Sequence, residues 1–339
     1  MKKVTITGEK QAGIIDVPDP EPRDDWALVK VHVAPMCTEY KGFVAGRQAE
    51  FLGHEAVGEV AAVAQPCQVE VGDRVVVQPQ YPCAKCWLCI SGNYIRCQNS
   101  YNFVEFTGSP EGRATMAQYM LKPSWLLSEI PDGVSYEHAG LAVCALGPSF
   151  SAFELAGAGA FDTTLITGMG PVGLGGVVNA CFRGARVIAV ESVPWRMERA
   201  KALGAECAID PGDEDALEQI MDLTDGRGVD CAVDCAGSVQ AQRLCLDATR
   251  RLGMVVCVGE CGEALAVRGS PDFIRTGVVL TGAWHYNLND FPRLMQVIQE
   301  SPVIESLISH VFPMTQAQEA FETCASHECA KVMLKPWES

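Results

Sequence analysis

Basic charge is in short supply in this chain. Lys and Arg number 26 against 42 Asp and Glu, for a formal net charge of −16. That balance argues against a nucleic-acid partner, because phosphate binding needs a basic face. Long apolar runs are also missing. No stretch is expected to reach the ~20 residues of a membrane span. The first ten residues, Met1 to Lys10, carry no apolar signal core, so neither a secretory leader nor a membrane partner is expected. Internal repeats and low-complexity tracts are absent as well. Cysteine is not scarce: there are 16. That number fits a reducing, cytoplasmic compartment better than a secreted disulfide scaffold. With 339 residues, 48% of them hydrophobic, about two domains with sizeable cores are expected.

Four of the cysteines stand close together. Cys83, Cys86, Cys89 and Cys97 follow the spacing C-x2-C-x2-C-x7-C. An all-sulfur, closed tetrahedral site is what zinc takes when its role is structural. The bacterial iron–sulfur run has a shorter last gap and a Pro after its final Cys. Here the gap is seven residues and Gln98 follows. Disulfides are the second rival, and the local spacing favours a metal over bridges.

The pattern changes along the chain. Up to about residue 147 it shows short β-like runs, at 26–33, 57–63 and 74–78, punctuated by Gly and Pro. From about Thr163 strands and helices alternate. Strands are expected at 164–167, 187–190, 231–234 and 254–258, and helices at 171–182 and 194–203. Such alternation implies α/β architecture with a parallel sheet. Residues 330–334 read as a strand that rejoins the first module. The expected division is 1–147 with 284–339, and 148–283.

Gly168-Met169-Gly170-Pro171-Val172-Gly173 follows a strand and opens a helix. Gly168 permits the tight turn, Gly170 admits a pyrophosphate, and Gly173 allows close helix–strand packing at an anion-binding helix start. An acid, Glu191, ends the next strand, 23 residues on. It suits the ribose hydroxyls and repels a 2′-phosphate, so NAD is expected over NADP. Arg196 either reaches the adenine or a phosphate or is an ordinary exposed helix arginine.

A second metal site is suggested by Cys37, His54 and Cys144. Two thiolates and an imidazole leave a fourth position open to water or substrate, the donor set of a catalytic zinc. Such an ion is a Lewis acid that lowers the pKa of an alcohol. Cys144 is the least secure of the three alone, since buried free Cys is a common core residue.

With the Gly53-His54-Glu55 motif, the four-cysteine lobe, the glycine turn and the segment Arg196–Gly204, the chain resembles the zinc-containing medium-chain alcohol dehydrogenases, including the sorbitol and threonine dehydrogenase branches. The resemblance runs end to end. It implies a GroES-like β-rich catalytic domain plus a Rossmann doubly wound parallel sheet. It also implies one catalytic and one structural zinc, NAD, an alcohol substrate, and a homodimer or homotetramer. Cys144, 24 residues before Gly168, fills the place of the third ligand. The sorbitol-type branch has Glu there, and aligning to it would put Ala139 at the ligand position. By the same resemblance Glu55 is the carboxylate behind the metal, and Val258 and Gly259 lie beside the nicotinamide. The family shows Cys-Gly-Thr/Ser-Asp-x-His after the first ligand. Here Cys37-Thr38-Glu39-Tyr40-Lys41 has one residue fewer, with Thr38 as the hydroxyl that meets the alcohol, Glu39 as the acid and Lys41 in place of the proton-passing His. Lys41 either relays a proton or contacts the cofactor or an ion-pair partner from an exposed helix. Cys181, Cys231, Cys235, Cys245, Cys257 and Cys261 read as core thiols. The segment Ala283–Asn287 fits a subunit surface, a substrate surface or plain packing.

The reading is therefore an NAD-dependent zinc dehydrogenase for a secondary alcohol: a polyol, sugar or amino alcohol. A non-catalytic zinc-stabilised NAD-binding protein of the same fold is the alternative. A zinc-free quinone reductase is disfavoured by both cysteine sets. Fold alone does not separate them; the metal ligands do.

Overall fold

In the computed structural model, which describes residues 1–338, the chain forms two compact units. One comprises Met1–Val143, Asn287–Gln299 and the stretch from Ile308 onward; the other comprises Cys144–Tyr286 and Glu300–Leu307.

The second unit is built on a six-stranded, wholly parallel sheet. Its spatial order is Cys207–Ile209, Arg186–Val190, Thr163–Thr167, Val229–Asp234, Thr249–Cys257, Val279–Gly282. Every residue of the two central strands is buried, as expected where helices cover both faces of a parallel sheet. The strand order reverses between Thr163–Thr167 and Val229–Asp234, and a doubly wound sheet binds its ligand at such a point. Four of these strands stand where the sequence pattern put them. The strand expected to end at Val258 ends at Cys257. The two edge strands, of three and four residues, are too short to show a periodicity.

The first unit carries a seven-stranded sheet. The order is Ile308–Pro313, Lys331–Lys335, Trp26–Pro35, Ala56–Val63, Arg74–Val77, Leu127–Glu129, with Tyr119–Pro123 also paired to Trp26–Pro35. The C-terminal strand joins antiparallel, Met333 opposite Pro35 and Leu334 opposite Ala34. An N-terminal hairpin, Lys2–Gly8 with Gln11–Asp16, was not anticipated.

Two expectations need correction. Glu300–Leu307 packs with the second unit, not the first. Buried Ile304 and Leu307 sit on the helix Pro171–Phe182, and Arg199 donates to the Ser306 carbonyl at 3.3 Å. The expectation that no apolar stretch reaches span length also fails: 21 residues, Tyr136–Ala156, form one continuous apolar helical segment. Its apolar window is 78% buried within the fold, which is the environment of a core helix.

Candidate metal centres and nucleotide site

The four-cysteine lobe closes on itself. Cys86 caps a single helical turn, Trp87–Ile90, that brings Cys89 back toward it. The ligand sulfurs of Cys83, Cys86, Cys89 and Cys97 all lie within 4.8 Å of one another. Cys86–Cys89, Cys86–Cys97 and Cys97–Cys83 are 3.4, 3.8 and 3.5 Å apart. Zinc–sulfur bonds of ~2.3 Å in a tetrahedron give edges of about 3.8 Å, so the sulfurs fit a zinc ion. Backbone N–H groups of Cys83 and Asn99 point at Cys97 Sγ, each at 3.4 Å. The lobe is held by Asn287, whose Nδ2 donates to the Ser91 carbonyl at 2.8 Å. The neighbouring Tyr286 is buried while Trp284 is exposed.

A second cluster gathers Cys37, His54, Glu55 and Cys144, again with one ligand atom from each within 4.8 Å of the others. Cys37 ends the loop after the strand Trp26–Pro35, and His54 and Glu55 directly precede the strand Ala56–Val63. His54 Nδ1 donates to Glu39 Oε1 at 2.9 Å. The other Glu39 oxygen accepts the Cys37 backbone N–H at 2.8 Å. One carboxylate thus orients two members of the cluster, the role outer partners play at metal sites. Burial alone would raise the Glu39 pKa, but the His54 contact holds it below its ordinary value. Burial would lower His54; hydrogen bonds to Cys37 and Glu39, with the Glu39 and Glu55 charges, push it instead up to about 11. A metal ion displaces that proton, so loading weakens as pH falls. Glu55 is fully buried and pairs with fully buried Lys331 at 2.6 Å. Burial pushes the carboxyl up, and the ammonium opposes it.

Cys144 reaches the cluster from an unusual piece of backbone. Residues Ala142–Leu146 form a π-helical turn between two α-helical segments, a distortion often found at functional positions. The Leu146 carbonyl is taken up by side chains, Asn179 Nδ2 at 2.9 Å and Ser149 Oγ at 3.0 Å. Ala139, the other alignment's choice, carries no ligand atom and lies one turn earlier.

In the second unit the glycine turn sits at the topological switch point. Gly168 has φ of +79°, and a Cβ there would lie 2.6 Å from Ala236 Cα. The turn after Asp234 is pinned by its own carboxylate, which accepts from the Ala236 and Gly237 N–H groups. The helix Pro171–Phe182 then starts with Pro171 and Val172, its open N–H groups facing the turn. Glu191 Oε2 accepts the Met169 N–H at 2.8 Å, while Oε1 accepts from Ser192 and Val193. Glu191 and Gly168 line a cavity of about 600 Å3. Arg196 turns back to the same place, with one guanidinium nitrogen 4.0 Å from where a Gly170 Cβ would stand. Arg196 is half-buried there.

Two family models match. Residues 23–132 fit the alcohol dehydrogenase GroES-like domain, and residues 171–300 fit the zinc-binding dehydrogenase. A sorbitol dehydrogenase from Bacillus subtilis is 31% identical over 99% of this chain and 97% of its own length. The chain belongs to the zinc-containing medium-chain alcohol dehydrogenase family. A D-arabitol-phosphate dehydrogenase from Enterococcus avium is 29% identical, covering 97% of this chain and 95% of its own. The solved structure of an alcohol dehydrogenase from Thermus sp. ATN1 superposes with a TM-score of 0.88 at 24% identity, over 99% of each chain. This medium-chain dehydrogenase is accordingly a zinc-dependent NAD oxidoreductase acting on alcohols.

Within the dehydrogenase, Thr38 caps the helix Glu39–Val44 and Lys41 stands exposed on it. Val258 follows its strand, its N–H bonded to the Asp234 carbonyl. Of the core thiols, Cys231 and Cys245 are buried, and Cys181, Cys235, Cys257 and Cys261 are half-buried. Sequence reasoning placed Glu39 without a contact and missed Lys331 altogether. The Glu39 signal was local: two residues after a ligand cysteine is within reach of that residue's own backbone. Lys331 is 276 positions from Glu55, beyond any spacing argument.

Proposed function

We propose that this dehydrogenase oxidises a secondary alcohol of the polyol, sugar or amino-alcohol class, passing hydride to NAD. The observation that carries the reading is the convergence of Cys37, His54, Glu55 and Cys144 on one point. Cys37, His54 and Cys144 hold the catalytic zinc, with Glu55 behind it, and Cys83, Cys86, Cys89 and Cys97 hold the structural one. Zinc supplies Lewis acidity toward the substrate oxygen, and NAD accepts the hydride. Glu39 fixes the His54 ring, and Lys331 neutralises Glu55. Thr38 receives the hydroxyl proton, and Lys41 either passes it outward or contacts the cofactor. Gly168, Gly170, Pro171, Val172 and Gly173 cradle the pyrophosphate with Arg196, Glu191 holds the ribose, and Val258 supports the nicotinamide. The similarity to polyol dehydrogenases supports the substrate class. A panel of alcohols and polyols with NAD, followed by the absorbance of reduced nicotinamide, tests it; no oxidation across the panel by zinc-loaded protein overturns it.

Two further results are expected. The closed lobe should keep its zinc against a chelator that strips the open site, so metal analysis should fall from two ions per chain to one. Iron in place of zinc, or equal loss from both, would sink the assignment. Second, kcat/KM should be larger with NAD than with NADP, and Glu191→Ser should move the ratio toward NADP. Because Glu191 also holds the Met169 N–H, NAD binding should weaken too, and the ratio is the quantity to read. A wild type that prefers NADP contradicts this role.

A further inference from the structure

Directly beyond His54 lies a second, smaller cavity of about 240 Å3. Its wall includes His54, Gln80, Tyr81, Arg113, Thr115 and Lys122, and no carboxylate. That composition is unusual in a chain with a net charge of −16. Lys122 is 2% exposed. Its Nζ donates to the Gln80 carbonyl at 2.5 Å and sits 4.1 Å from the Tyr81 ring centroid. Among the described residues it has no acidic partner. A buried ammonium without a counter-charge is costly, and burial pulls its pKa well below the ordinary lysine range. The two other buried lysines, Lys3 and Lys331, are each paired with a glutamate at 2.9 and 2.6 Å. Arg113 is exposed at the rim, also without an ion pair among the described residues. Thr115 Oγ1 is buried with no hydrogen-bond partner. It is set against Gly53, where a Cβ would stand 2.1 Å from the hydroxyl, so it belongs to the same wall as His54. One cavity therefore combines a buried amine without a counter-charge, a guanidinium without an ion pair among the described residues and an orphan hydroxyl beside a metal-ligand histidine.

We propose that this cavity binds an oxyanion carried by the alcohol substrate, a phosphomonoester or a carboxylate, through Lys122, Arg113 and Thr115. This rests on the proposed dehydrogenase function and narrows its substrate class to anionic alcohols. Lys122, protonated as the anion enters, supplies a point charge, and Arg113 a planar fork suited to two oxyanion oxygens. An anion entering the cavity supplies the counter-charge that the fold itself provides for Lys3 and Lys331. A neutral polyol brings no counter-charge, so the cavity favours the anionic alcohol over the neutral one.

The test compares D-sorbitol, D-gluconate and D-sorbitol 6-phosphate as substrates of the zinc-loaded enzyme with NAD, in wild type, Lys122→Met and Arg113→Gln. An anionic member is expected to exceed sorbitol in kcat/KM by at least ~10-fold, the worth of one charge-assisted contact of ~1.4 kcal/mol or more. Which anion leads distinguishes phosphate from carboxylate. Each substitution should erase that preference by raising KM for the anionic substrates more than for sorbitol; Met matches the lysine stem, and Arg113 is exposed. Binding of inorganic phosphate to the same holoprotein, by calorimetry, gives a readout independent of turnover: wild type binds, and Arg113→Gln binds at least ~10-fold more weakly. Sorbitol oxidised as well as both anions, with phosphate binding unaffected by either substitution, overturns the oxyanion site and leaves the dehydrogenase standing. Failure to oxidise any alcohol, with phosphate binding still lost in Arg113→Gln, supports the site and overturns the dehydrogenase reading.

Discussion

A zinc-replete Cys37→Ser enzyme is expected to keep its fold and lose its turnover. Cys37 ends a loop and contributes a half-exposed thiol to the open cluster, and it belongs to neither hydrophobic core. Its removal leaves His54 and Cys144 as the remaining nitrogen and sulfur donors, too few for a catalytic zinc site. Lewis-acid assistance is worth several kcal/mol, and each ~1.4 kcal/mol is a factor of ten, so kcat should fall by about 10³ or more. Circular dichroism should be unchanged, and metal analysis should find one zinc per chain, the one in the lobe. Cys89→Ser should do the opposite. It opens a closed site whose four ligands tie the lobe together, so solubility and melting temperature should drop while the surviving folded protein turns over. Wild-type kcat in Cys37→Ser would place the chemistry elsewhere. Loss of the lobe zinc in Cys37→Ser would mean that the two sites are not independent.

The four-cysteine lobe behind Cys89→Ser and the glycine turn were legible in the sequence for one physical reason: the interacting residues are close along the chain. Cys83 to Cys97 span one lobe, and Gly168 to Gly173 one turn. Glu191 stands one strand and one helix away, with the parallel sheet dictating the return. Cys144 was harder, because its approach depends on the π turn Ala142–Leu146 and on Asn179 and Ser149 taking up a carbonyl. No periodicity announces such a turn. The Lys331–Glu55 pair was out of reach, since strand register brings Lys331 in. Nothing in the sequence singles out Lys122, which lies in the strand Tyr119–Pro123. Only packing by Tyr81 and the Gln80 carbonyl reveals it as buried. Short edge strands escaped for lack of length, and Ile304–Leu307 escaped because apolar residues after an aromatic segment do not say which core they join.

The proton route is where this dehydrogenase departs from its relatives' pattern, and there Thr38→Val should lower kcat by ~10²–10⁴, the usual worth of a general acid–base step. The structure narrows the candidates for the inner position. Both Glu39 oxygens are committed, one to His54 and one to the Cys37 N–H. The Thr38 side chain, in contrast, makes no capping hydrogen bond although it occupies the N-cap, so its hydroxyl is available to the substrate. Lys41 lies one turn further on the same short helix, its N–H bonded to the Thr38 carbonyl at 3.0 Å. Its side chain is exposed and makes no ion pair among the described residues, which removes the salt-bridge account of it. Two roles remain, and they separate kinetically. If Lys41 passes the proton to water, Lys41→Ala should lower kcat at neutral pH by less than Thr38→Val, because solvent can substitute at an exposed position, and an added amine base should restore part of the loss. If it contacts the cofactor instead, the same substitution should raise the KM for NAD and leave kcat nearly unchanged. Thr38→Val is expected to lower kcat in either case, with zinc content and NAD binding unchanged. A fully active Thr38→Val enzyme overturns the route, because Glu39 cannot take its place without releasing the histidine it orients.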